Sequence, residues 1–405
     1  MENSHFMNSH PAIPAVRLAE FDLPVTPSTI DIWRMNGAMI SDAIREAASD
    51  VDSANMFMRM FYLLQALGQN DSALAMQEKA LARRCFYRIA DPPAPAIRLL
   101  ALMGPGNMVD NAPLEFLVEN SDIRLDLLYL LPGQDLPEII PDHDIAIVAL
   151  AESNKNRPLL ARMEEMIVAW TRPVLNTPER VLRCARDTEC RLLQDTQGLL
   201  VPVTQRLDQN QIRRISFPMT IRPVDTHSGD GFKKIESTVE LDAYFEAYPD
   251  DEFYVSEYVD YRSDDGLFRK ARIALIDGCP YICHLAISDN WVVHYASAEM
   301  QLSAEKRAEE MTMMESFDRD FAVRHGKALE AIAQKLGLDY IILDCGEMRD
   351  GRLVLFEADT RGWIHATDSV EVFPYKQMVM QKAFDAFRAM LVSRISSARG
   401  QSIET

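Results

Sequence analysis

Residues 336–362 read LGLDYIILDCGEMRDGRLVLFEADTRG, and no other stretch constrains the fold as tightly. Two β-rich runs, residues 340–343 and 353–356, flank a turn containing Asp350-Gly351, which is the signature of a hairpin. Each run ends in acid. Asp344 closes the first; Glu357 and Asp359 close the second with one residue between them, so both leave the same face of a strand. In a paired hairpin the three carboxylates converge at one end. Hard oxygen ligands without His or Cys suit Mg²⁺ or Mn²⁺ held together with phosphates. On local pattern alone, an acidic, solvated strand edge is the alternative.

Which of the two applies depends on the rest of the chain. Its 405 residues allow two or three domains with their own cores. A hydrophobic share of 48% and a charged share of 25% belong to an ordinary soluble globular protein. The formal net charge of −19, with no block of Lys and Arg, argues against nucleic acid as a partner. No apolar run approaches the roughly 20 residues of a membrane span. The first residues, MENSHFMNSHPAIPAV, have neither a basic leader nor an apolar core, so no secretory signal is expected and a cytoplasmic protein is. Cys85, Cys184, Cys190, Cys279, Cys283 and Cys345 show no paired CxxC spacing, and reduced thiols are expected.

Residues 1–27, rich in Pro, Asn and Ser, read as a loosely held arm. From 28 to 90 the pattern is helical, with apolar residues at three and four spacing, a turn at Gly68-Gln69-Asn70-Asp71, and a second amphipathic run over 73–85. LLQALGQNDSALAMQEKAL resembles one tetratricopeptide unit; a single unit is too few for a solenoid and reads as a helical cap or a contact between two copies of the chain ahead of a peptide-binding surface. Asp91-Pro92-Pro93-Ala94-Pro95 reads as a stiff linker. Beyond it, strands at 96–103, 124–131, 145–150 and 173–176, with helices between them, imply a parallel sheet with crossovers. The turn GPGNMVDN is not a GxGxxG fingerprint, and no acid ends the second strand, so dinucleotide binding is not expected there.

A second block opens near Pro178 with a helix over 179–195 that carries Arg180, Arg183, Arg186 and Arg191, followed by a strand at 199–204. FPMTIRP (217–223) then breaks into THSGDG (226–231) and resumes at 232–235. Such a turn presents backbone N–H groups to phosphates without side-chain obstruction, or is a plain hairpin turn. FYVSEYVDY (253–261) reads as a buried strand. RKARIALIDGCPYICHLAI (269–287) reads as a hairpin about Asp277-Gly278, in which Lys270 and Arg272 share one face. Two cations on one strand face are costly unless something anionic stands opposite. His227, His284 and His294 are candidates for substrate contact or are structural histidines.

In this order of parts the chain resembles an ATP-grasp enzyme from about residue 96 to 368, closest in pattern to the carboxylate-amine ligases that attach glutamate to ribosomal protein S6. The resemblance implies an ATP-grasp fold of α+β and α/β class: a pre-ATP-grasp α/β domain plus two ATP-clasping subdomains, after an N-terminal all-α region. The expected boundaries are 1–91 for the arm and helical region, 92–177 for the α/β domain, 178–258 for the small subdomain with its phosphate lid, and 259–405 for the subdomain with the metal site. Carried over by position, Glu257, Tyr258 and Val259 meet adenine, and Asp260 or Asp264 meets the ribose. His227, Ser228, Gly229 and Gly231 belong to the lid over the phosphates. Arg272, with Lys270, steadies the transferred phosphoryl group, and Asp344, Glu357 and Asp359 hold the metals.

Three positions depart from the family pattern. Asp359 stands where the family has Asn, Arg222 where it has a phosphate-binding lysine, and Thr188 where the first helix has a lysine, a role left to Arg186 or Arg180. The resemblance implies ATP and Mg²⁺ or Mn²⁺ as cofactors. It also implies amide formation between a carboxylate substrate and an amine co-substrate through an acyl phosphate, on a peptide, protein or amino acid, with neither nucleic acid nor membrane involved. The alternative is a nucleotide-binding scaffold that acts through its helical region. Arg361, Gly362, Trp363 and His365 are where substrate-specific contacts are expected.

Overall fold

The computed structural model describes residues 17–35, 37–49, 53–226 and 229–401. The helical reading of the N-terminal region resolves into Thr29–Trp33, Gly37–Ser49, Ala54–Ala66 and Asn70–Leu81. Ser28 caps the first helix through a reciprocal box with Asp31, and Ser53 caps the third by accepting from the Met56 N–H. The last two helices form a hairpin about Gly68, whose φ of +71° is a left-handed value that glycine adopts without strain.

The helical expectation fails at Phe86–Ala90, which is a strand paired antiparallel with Ile123–Tyr129. Aromatic and β-branched residues favour the strand, and its one charge, Arg88, is neutralised by Asp126 at 2.7 Å in the buried interior. The proline-rich segment after it therefore joins two strands of one sheet and is not a boundary between domains. The expected loose arm is also tied down from Arg17 onward: Arg17–Ala19 pairs in parallel with Ile139–Pro141, and the Thr26 hydroxyl donates to Asn55.

Beside the two-stranded pairing of Arg17–Ala19, the described residues form three larger sheets. In the first, Phe86–Ala90, Ile123–Tyr129, Ile97–Met103, Ile145–Val148 and Val174–Leu175 lie in that spatial order, the last four parallel as their near-continuous apolar runs require. Met58, Phe61 and Leu63 of the helical hairpin share a core with this sheet and with Phe387 and Leu391 of the C-terminal helix Lys376–Gln401. The helices thus cover the sheet rather than forming a module of their own.

The second sheet is antiparallel, in the order Lys233–Ile235, Met219–Pro223, Glu252–Glu257, Thr204–Asp208, and is backed by the helix Thr238–Ala247. The third is ordered Cys279–Ser288, Phe268–Ile276, Tyr340–Glu347, Leu353–Asp359, Leu199–Leu200. The single strand expected at 199–204 is therefore split, and residues 201–203 cross from the third sheet to the second. Alternation along Phe268–Ile276 assigns the faces of the third sheet. Ala271, Ile273 and Leu275 belong to the core of the helices Ala304–Ser316 and Gly326–Leu336, while Ala274 and Ile276 belong to that of the C-terminal helix. No helix among the described residues is long and apolar enough to cross a membrane.

Candidate active site

The acidic hairpin forms with Asp350-Gly351 at its turn, but its first strand runs on to Glu347, so Asp344 lies mid-strand rather than at a strand end. Register then fixes the site. Arg272 pairs with Asp344, Asp344 with Glu357, and Ile342 with Asp359, so all three acids share a face with Arg272 and, two residues away, Lys270. This face is one wall of a cavity of about 910 Å³. The small sheet supplies the facing wall with Arg222, and the Val109 loop of the first domain closes a third side.

Each acid closes on a cation. Asp344 accepts from Lys270 Nζ at 3.0 Å and from Arg272 Nε and Nη2 at 2.8 and 3.0 Å; Glu357 accepts from Arg186, and Asp359 from Arg361. Burial alone would raise the Asp344 carboxyl, but Arg272 and then Lys270 outweigh it and hold the group well below the usual carboxylate range. At Glu357 burial is likewise overcome, by Arg186, Arg222 and Arg361, and the group sits at about 2. Asp359 differs: burial raises it despite Arg361. The Asp359 carboxylate is taken up by Arg361.

The expected helix over 179–195 breaks at Ala185 into Pro178–Val181, a short 3₁₀ turn and Arg186–Leu193. The break separates the arginines. Arg186 reaches the cavity and Glu357, whereas Arg180 faces Asp339 at 3.6 Å on the far side. One turn beyond Arg186, Glu189 accepts from the Ala358 N–H, and burial pushes it up to about 8. Glu189 was not singled out from sequence; its position one helical turn from Arg186 was the available signal.

Arg222 is buried and forms no ion pair among the described residues; its guanidinium donates to the Thr226 hydroxyl and carbonyl. Burial, followed by repulsion from Arg186, lowers it to about 9. Gly229 has φ +81°, and a Cβ there would stand 2.6 Å from His294 Nε2, so the backbone at this glycine packs directly against His294. Gly231 lies behind the cavity wall, its carbonyl accepting from Tyr244 Oη at 2.7 Å. His227 and Ser228 lie outside the described residues.

Glu257, Tyr258 and Val259 line the cavity, with Phe232 and Trp291 adding apolar surface beside them. Asp264 does not reach it. The segment after the hinge folds into a surface turn closed by Ser263 N–H to Leu267 O, which leaves Asp264 exposed beside Arg349, and Asp260 turns to Arg262. Arg361, Gly362, Trp363 and His365 all line the cavity, as does His284, whose ring meets Tyr295 at a tilt of 40° with centroids 4.4 Å apart.

Among the described residues no three His, Cys, Asp or Glu side chains stand close enough to ligate one ion, so the expected trio of Asp344, Glu357 and Asp359 is not a preformed metal cage. The reason is the pairing of each acid with a cation. The donor set still fits magnesium in a sparser way: Asp344 and Glu357 are directly opposed, ionised and face the cavity, and Mg²⁺ is commonly held by one or two carboxylates, with phosphates and water completing its shell.

No protein-family model and no curated protein matches the chain. Solved structures are similar to it. A D-Ala:D-Ser ligase from Enterococcus faecalis is 14% identical over 73% of this chain and 99% of its own, with a TM-score of 0.46. D-alanine–D-alanine ligase from Bacillus anthracis, complexed with ATP, is 15% identical over 76% and 99%, with a TM-score of 0.43. A RimK domain protein of ATP-grasp type from Sphaerobacter thermophilus is 14% identical over 73% and 99%, with a TM-score of 0.42.

Proposed function

We propose that the chain is an ATP-dependent carboxylate–amine ligase, and that its cavity holds ATP between the two sheets. The observation that carries this is Arg222: a buried guanidinium with no acidic partner among the described residues, beside Arg186 and facing the wall that bears Lys270 and Arg272. An unpaired buried cation is costly, and a polyphosphate entering between these four side chains supplies the missing charge.

Adenine would lie along Glu257, Tyr258 and Val259, and the loop at Gly229 would close over the phosphates against His294. Asp344 and Glu357 would hold a magnesium or manganese ion, which supplies charge neutralisation at the phosphate oxygens. A carboxylate oxygen of the substrate attacks the γ-phosphorus as the bond to ADP breaks, giving an acyl phosphate. The amine nitrogen then attacks the acyl carbon, the carbon–oxygen bond to phosphate breaks, and of the two protons shed by the ammonium one leaves with phosphate and one passes to solvent. Transfer of this kind requires positioning and charge stabilisation rather than a nucleophilic side chain. In this reading Arg272, with Lys270 beside it, steadies the transferring group, and its link to Asp344 holds the guanidinium plane.

The test is ADP release and hydroxamate formation with MgATP, hydroxylamine and each of the twenty amino acids as carboxylate donor. The expected result is equal ADP and hydroxamate from at least one donor, abolished by Asp344→Ala. Nucleotide binding without turnover for every donor would instead support the scaffold.

A further inference from the structure

The cavity continues past the reacting groups. Along the strand Phe268–Ile276 it runs from Tyr261 at the hinge end, past Lys270 and Arg272, to an inner chamber floored by Cys283, Ile342, Ile364 and Met380. All four floor residues are buried and apolar in character; burial holds the Cys283 thiol up at about 12, so it behaves as packing.

The walls are no more charged than the floor. Trp363 is held in place by Trp33 of the first helix, with ring centroids 4.7 Å apart, and by Phe116 at 5.7 Å. Asp359, opposite Ile342, is taken by Arg361, and Asp368 is paired with Lys376 Nζ at 2.8 Å, with Lys376 in turn held by Glu310 and the Tyr295 hydroxyl. At the mouth, Arg272 is held by Asp344 and donates to the Trp363 carbonyl at 3.2 Å. The cations that line the cavity on this side, Arg272 and Arg361, are both held by acids, Asp344 and Asp359.

His284 is the polar group left over. It faces the cavity beside Arg272 in the strand register and makes no hydrogen bond among the described residues. Burial, reinforced by Arg272 and Lys376, keeps its ring neutral. A neutral imidazole accepts a hydrogen bond from an amine N–H, whereas a second carboxylate lodged in this chamber would be buried without a counter-ion.

We propose that the inner chamber is the amine subsite, and that it takes a primary amine with a compact, uncharged apolar body whose nitrogen is held at His284. This deepens the ligase function proposed above and rests on it. It also sets this chain apart from the glutamate-adding enzymes that its sequence resembles.

The experiment uses the full chain, MgATP and whichever amino acid gives hydroxamate, with ethylamine, benzylamine and glutamate as competing acceptors and products read by mass. Ethylamine or benzylamine should exceed glutamate at least tenfold in kcat/KM, and His284→Phe should lower amide formation from ethylamine at least tenfold. Glutamate used as well as or better than the simple amines would overturn the proposal whatever the variant does, and an unchanged ethylamine rate in His284→Phe would overturn the placement of the nitrogen. If the wild-type protein makes hydroxamate from no carboxylate, the ligase function itself fails, and this proposal with it.

Discussion

Replacing Arg222 by methionine should make the protein more stable without nucleotide and less responsive to it. Arg222 is buried, has no acidic partner among the described residues, and is lowered from the usual arginine range to about 9. That displacement is worth on the order of 4–5 kcal/mol against the charged form, at about 1.4 kcal/mol for each tenfold shift in an equilibrium. Methionine also forfeits the two hydrogen bonds to Thr226, each worth roughly 1 kcal/mol or somewhat more. The net gain expected for the nucleotide-free protein is therefore about 1–3 kcal/mol.

Because the folded-state value is lowered, the penalty on the wild type applies at pH values below about 9 and is relieved as pH rises above it. The advantage of Arg222→Met should shrink in that alkaline range. With nucleotide that advantage should largely disappear. Loss of one charge-assisted contact to phosphate costs about 1.5–3 kcal/mol, or roughly 10- to 150-fold in affinity. Wild type at a nucleotide concentration of about 100 Kd gains close to 2.7 kcal/mol, while the variant at the same concentration gains far less. Urea denaturation with and without a magnesium complex of a non-hydrolysable ATP analogue measures both halves. A variant that is less stable alone, and that binds the analogue as tightly as wild type, would refute the assignment of Arg222 to an anion site.

Two further outcomes follow from the same geometry. Glu189, held at about 8 against an ordinary 4.5, is protonated in the fold but ionised when unfolded at neutral pH, so its contribution to stability is complete below about 4.5 and is lost as pH rises through 8. Glu189→Gln keeps an acceptor for the Ala358 N–H and should flatten the fall in urea midpoint over that window by on the order of 2–4 kcal/mol; parallel curves for variant and wild type would contradict it. Gly229→Ala puts a methyl group against His294 at a left-handed backbone position costing about 1–2 kcal/mol, so ADP formation should fall roughly tenfold or more, and His294→Ala should recover the steric part of the loss in the double variant.

Patterns of period two were legible in the sequence. The hairpin turn at Asp350-Gly351, the common face of Lys270 and Arg272, and the common face of Glu357 and Asp359 all followed from alternation, and pairing preserved them. What alternation does not encode is which partner crosses a gap. The three acids share a face as expected, yet each is taken by a cation, and Arg361 and Arg186 come from segments whose approach depends on the whole fold. The choice between Arg180 and Arg186 turned on a helix break at Ala185, where no proline or glycine marks the site. Asp264 lies close to the hinge in sequence, but the loop turns it to solvent. Phe86–Ala90 read as helix because its neighbours were helical; only the buried Asp126 across the sheet makes a strand containing Arg88 affordable.

The contact between Trp33 and Trp363 bears on how this chain can be divided. One indole comes from the first helix after the arm and the other from the loop that follows the strand Leu353–Asp359, 330 positions later, and together with Phe116 they form one continuous aromatic wall. The helical region is therefore not a detachable recognition module appended to an enzyme. A shortened chain lacking it would lose part of its own chamber, and a chimera carrying another protein's helices would inherit a different one. Substitutions in the first hundred residues can thus reshape this part of the cavity while Arg186, Arg222, Lys270 and Arg272 stay untouched.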